Sequence, residues 1–138
     1  MRSIYKTLQK LKDQKKRERY LKYSEAEKER RDRESELRLS KKKLHEARLD
    51  QADSMGMRVV QEYLNMQRHL NIKNEEKELV SCTRKTEKLR QEMIEAQIEA
   101  KVMEKVIDSI LDEERKEQKQ KADKFNDEIA VMGWRRRV

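Results

Sequence analysis

A chain of 138 residues with 46% charged and 34% apolar residues, two Gly and no Pro lacks the apolar content for a thick core and the turn residues for many tight bends. The net charge of +8 lies wholly in residues 1–50, with 18 Lys/Arg against 10 Asp/Glu, while residues 51–138 hold 18 of each. That uneven field suits acidic partners, and the helix-forming composition suits long helices sharing a narrow seam.

From the start of the chain, MRSIYKTLQKLK has no apolar h-region, so no secretory signal is expected there. Ile4, Leu8 and Leu11 form a first stripe, followed by Tyr20, Leu21 and Tyr23, then by Leu37, Leu44 and Ala47. The charged runs Lys12–Arg19 and Glu27–Glu36 separate them, so Lys and Arg stems must cover part of the seam. A first helix is expected over about residues 3–52, stopped near Gly56, with Asp53 or Ser54 capping the next.

A turn and head are expected over about residues 53–73. Val59, Tyr63, Met66 and Leu70 make a short apolar stripe about one residue out of phase with the stripe of residues 79–110. A break in LNIKN, residues 70–74, would reconcile the two phases, and Asn71 and Asn74 suit it.

The strongest pattern lies in the second half. Cys82, Thr86, Leu89, Met93, Ala96, Ala100, Met103, Ile107 and Ile110 alternate in steps of four and three, and the phase extends back to Leu79 and Ile72. This is a heptad seam, which disorder would not produce. A second long helix is expected over about 74–132, with Gly133 as its stop and a basic tail over 133–138. Ala122, Phe125, Ile129 and Met132 continue a stripe beyond a charged gap. Trp134 is either a last seam cover or an exposed anchor.

The fold class is therefore all-α: one long antiparallel two-helix coiled-coil hairpin, residues 1–138, with a short helical segment at the turn. Each long helix would measure roughly 75–90 Å. Folding back near residues 53–73 pairs positions whose numbers sum to about 125–132. Ile4, Leu8 and Leu11 would then meet Phe125 and Ile129 as a terminal clamp. The run Lys12–Arg19 would face Asp112–Lys121, and complementary charge would select that register.

Catalytic chemistry finds no foothold. His45 and His69 lie 24 residues apart, too far for a helix-borne metal pair. No phosphate loop, nucleophile elbow or Cys-x-x-Cys occurs, and Cys82 reads as a small seam residue. No enzyme activity, cofactor or metal is expected. No apolar run spans a membrane, and a cytoplasmic location is expected. A basic nucleic-acid-binding rod is a weaker reading, because no sustained zipper follows Lys15–Arg19 and acids interrupt residues 25–36. A generic coiled-coil scaffold or export-chaperone escort is the main alternative.

The run AKVMEKVIDSILDEERKEQKQKADKFNDEIA, with Met103-Glu104-Lys105 and Asp127-Glu128-Ile129-Ala130, resembles the FliJ/SctO (YscO-like) family. The Met55-Gly56 turn followed by Tyr63 and Leu70 is also similar to that family's head. The resemblance implies a central stalk of the type III secretion or flagellar export apparatus. Such a stalk inserts its termini into a hexameric secretion ATPase, promotes its assembly and activity, and couples it to the export gate. It implies ATPase contacts through Lys6, Lys10, Lys12, Arg17, Arg19, Lys121, Lys124, Arg135, Arg136 and Arg137. It implies an export-gate or chaperone contact through Val59, Tyr63, Met66 and Leu70, and association with the inner membrane only through the complex. The region HEARLDQAD lacks aromatics that flagellar relatives carry before the turn, which favours a virulence system over a flagellar one.

Overall fold

The computed structural model describes residues 2–50 and 52–137, with the side chains of residues 2 and 137 left aside. Two long helices pack against each other as a helical hairpin: α1, Arg2–Leu49, and α2, Met55–Arg137. No strand occurs among the described residues. Two compact units make up the chain: Met1–Gln14 with Gln97–Val138, and Lys15–Ala96.

The turn is shorter than the sequence suggests. α2 begins at Met55, so the expected head segment belongs to one uninterrupted 83-residue helix. No break occurs at residues 70–74. The seam phase of Leu79 and Ile72 simply continues back to Asn65 and Gln61, which are half-buried. Val59, Tyr63, Met66 and Leu70 lie off that phase and face outward. The two phases are the inner and outer faces of one helix.

Gly56 sits in the first turn of α2 rather than at the stop of α1, and Gly133 lies within α2 without ending it. Neither has a positive φ. A helical Gly costs only about 1 kcal/mol relative to Ala, which an otherwise favourable helix absorbs. The turn is closed by side chains instead. Ser54 caps α2: its Oγ accepts the Met57 N–H at 3.2 Å, and its carbonyl accepts the Arg58 N–H at 3.0 Å. The Gln61 amide donates to the Ala47 carbonyl at 3.1 Å and to the Asp50 carbonyl, satisfying acceptors left orphaned at the end of α1.

In the unit Lys15–Ala96 the core is small. Leu37, Leu44 and Ile72 are buried together, and Leu79 packs on them. Elsewhere the α1 side of the seam is polar: Lys16, Arg19, Arg30, Arg33 and Ser40 are half-buried there beside Tyr23 and buried Ala26. Their aliphatic stems fill the seam while their charged heads reach its edge. In the unit of the two termini, half-buried Tyr5, Gln9 and Lys12 belong to the α1 seam, while buried Ala100 and Ile107 and half-buried Met103 and Ile110 belong to that of α2.

The register differs from expectation. Lys12 pairs with Glu99 at 3.2 Å, Arg19 with Glu92 at 2.8 Å and Arg33 with Glu78 at 2.8 Å. In each pair the residue numbers sum to 111, not to the expected 125–132. The cause is the short turn: with no separate head helix, the chain folds back earlier, and α1 runs out near the level of Ile107–Leu111 of α2. Lys12 and Arg19 thus meet acids of the Leu89–Ile110 region and not the run Asp112–Lys121.

Candidate interaction surfaces

The ten cations expected to meet an ATPase divide into two sorts. Lys12 and Arg19 are half-buried seam residues, each paired across the hairpin to a carboxylate. They are engaged in the register. Lys6, Lys10, Arg17, Lys121, Lys124, Arg135 and Arg136 are exposed. The side chain of Arg137 lies outside the described residues.

The terminal clamp does not form. Phe125 is 62% exposed and Ile4 is 61% exposed, and Leu8, Leu11 and Ile129 are exposed as well. Ile4, Leu8 and Leu11 do step by four and three, but one position ahead of the true seam at Tyr5, Gln9 and Lys12. The α2 seam residues that this part of α1 meets lie near Ala100–Ile107, far short of Phe125. Every described residue from 115 to 136 is exposed, Trp134 included, so α2 continues as a single helix with its stripe Ala122, Phe125, Ile129 and Met132 uncovered. Trp134 is therefore no seam cover. A second exposed apolar group in the same unit, Val102 and Val106 on α2, accompanies the uncovered Leu8 and Leu11 of α1.

At the head the amphipathic order is inverted. Polar Gln61 and Asn65 are half-buried on the side of α1. The apolar residues lie outside the seam: Val59, Tyr63, Met66 and Leu70 are exposed, as are Met55, Met57, Val60 and Leu64, the last three bordering the end of α1 beside Ala47 and Asp50. Sequence reasoning missed the last four. The signal was available in the heptad phase, which, projected back from Ile72, reserves the inner face for Gln61 and Asn65.

The electrostatic fine structure is concentrated in the middle of α1. Glu27 accepts from Arg30 at 2.7 Å and from Arg31 at 3.2 Å. The hydrogen bond from Arg30 holds the Glu27 carboxyl below its usual range, against the opposing effect of burial. Glu27 and, more weakly, Glu34 push the Arg30 guanidinium up, and Glu29 and Glu78 do the same for Arg33. These are structural pairings at the edge of the seam, where the Glu27 and Arg30 side chains are partly buried. Among the described residues no cluster of three or more His, Cys, Asp or Glu side chains is placed to hold a metal ion, and no helix is long and apolar enough to cross a membrane.

Long helices, a side-chain-capped turn and exposed apolar residues at the head and along residues 115–136 define a helical-hairpin protein. The family model described as Flagellar FliJ protein matches residues 2–138, and the chain belongs to that family. No curated protein and no solved structure matches it. The family is a non-catalytic component of flagellar and type III export, associated with the export ATPase and the export apparatus.

Proposed function

We propose that this protein is the central stalk of a type III export apparatus of the flagellar or virulence type. The end formed by residues 1–14 and 97–138 enters the hexameric export ATPase, and the head at Met55–Leu70 faces the export gate or a secretion chaperone. The observation that carries this reading is the exposed run 115–136 of α2, a rod whose apolar stripe α1 leaves uncovered. A single helix of that length holds little stability by itself, so its stripe suits an enclosing partner.

Lys6, Lys10, Lys121, Lys124, Arg135, Arg136 and Arg137 are the cations proposed to meet acidic groups of the ATPase, and Arg17 extends them along α1. Lys12 and Arg19 support them from within the seam. Co-elution with the export ATPase tests the reading. Lys121→Glu combined with Lys124→Glu should abolish co-elution while helicity, read by circular dichroism, stays unchanged. Retained co-elution would remove these residues from the contact.

A further inference from the structure

The head of α2 carries more outward apolar surface than one helical partner can use. At 100° per residue, Met55, Val59, Tyr63, Met66 and Leu70 cover about 80° of arc, and Val60, Leu64 and Met57 carry it on to about 200°. All eight are exposed, Met55 at 84%. The arc lies opposite the side on which Gln61, Asn65 and Ile72 meet α1. A helix docked on another usually uses a stripe little more than about 100° wide. A broad arc suits a flat, fluid apolar phase.

Charge selects the kind of surface. Exposed Arg68 borders the arc beside Met57 and Leu64, exposed Lys73 lies in line with Met55, and Arg58 and His69 stand behind. Within α2, Glu62 is the only acid between residues 55 and 73, and among the described residues Asp50 after α1 is the one acid that lines the concavity beside Met57, Val60, Leu64 and Arg68. An apolar arc edged by cations is the pattern of a helix that lies in the interface of an anionic bilayer. A second copy of this chain would instead bring cationic borders against each other, which like-charge repulsion opposes.

We propose that the head docks directly on an anionic lipid surface, with Val60, Tyr63 and Leu64 near the middle of the arc dipping into the acyl boundary and Arg68 and Lys73 at its two borders on the headgroups. This goes beyond membrane association through a protein complex. It shares the outer face of the Val59–Leu70 stripe with the proposed gate contact, and it stands independently of the ATPase contacts.

Vesicle flotation of the full chain tests it, comparing phosphatidylcholine alone with vesicles containing about one-third phosphatidylglycerol. Flotation is expected only with the anionic vesicles, weakening as salt rises. Val60→Ser with Leu64→Ser should lower the bound fraction at least about tenfold, since burying each side chain contributes on the order of 1.5 kcal/mol. Arg68→Gln and Lys73→Gln should each cost about fivefold. Arg135→Gln with Arg136→Gln should leave flotation unchanged. No flotation, or flotation lost only with the tail variant, would overturn the proposal. So would a dimer that Val60→Ser with Leu64→Ser dissolves, which would assign the face to a second copy. Loss of gate binding in those variants without any flotation would assign it to protein. Absent flotation with ATPase co-elution intact would sink this inference alone.

Discussion

The Thr86 hydroxyl reaches the Ala26 carbonyl across the seam at 3.3 Å while sharing its proton with the Cys82 carbonyl at 2.8 Å. Thr86 is 5% exposed and Ala26 is 7% exposed, so a side chain of α2 sits directly against the backbone of α1 in the unit Lys15–Ala96. A small residue on one helix and a polar one on the other set the spacing there.

Ala26→Leu should therefore disrupt the seam more than its apolar character suggests. Overpacking a closed site costs about 1–3 kcal/mol. The midpoint of thermal unfolding should fall, whereas Thr86→Ser, which keeps the hydroxyl, should lower it less. An Ala26→Leu chain with unchanged midpoint would mean that the helices are not in close contact at this level.

Stability should be concentrated near the turn. Ile72→Ala opens a cavity in the buried cluster of Leu37, Leu44 and Ile72 and should cost about 2–5 kcal/mol. Phe125→Ala and Ile129→Ala should fall within about 0.5 kcal/mol of the parent, because both side chains already face solvent. Denaturant titration of the three variants separates these cases.

Gln61→Ala should loosen the turn without opening a core cavity. It removes the donor that satisfies the Ala47 and Asp50 carbonyls at the end of α1. Lost hydrogen bonds of this kind cost about 1 kcal/mol. Hydrogen exchange should rise at the end of α1 and at the start of α2, and stay unchanged around Thr86.

Acid should weaken the middle of α1 in a defined window. The folded carboxyl of Glu27 titrates below its ordinary value near 4.5. Its contribution is thus present above that value and is lost as pH falls below it through the lowered folded value. Glu27→Gln should flatten the dependence of the thermal midpoint on pH in that window and lower the midpoint near neutrality. An unchanged slope would show that Glu27 is unpaired in solution.

The second helix was legible because its seam is written in apolar residues: Ile72, Leu79, Leu89, Met93 and Ile107 keep the four-three rhythm in a single phase. The first helix was legible as a helix but its seam was not, because that seam reads Tyr5, Gln9, Lys12, Lys16, Arg19 and Tyr23 before any Leu takes part. Leu8 and Leu11 drew attention one position away, and with them went the register and the clamp. The phase of Tyr23, Leu37, Leu44 and Ala47, projected back by heptads, reaches Tyr5 and marks the true seam. The head failed for a related reason: Gln61 and Asn65 occupy seam positions usually filled by apolar side chains, so the conspicuous stripe was the outer one.

ATP turnover by the hexameric export ATPase, with and without the full chain, tests the stalk assignment most directly. A stalk should raise turnover and promote hexamer formation, and both effects should be lost with Lys10→Glu and Arg17→Glu, whose side chains are exposed and lie outside the seam. Unchanged turnover with no hexamer formation would contradict the assignment.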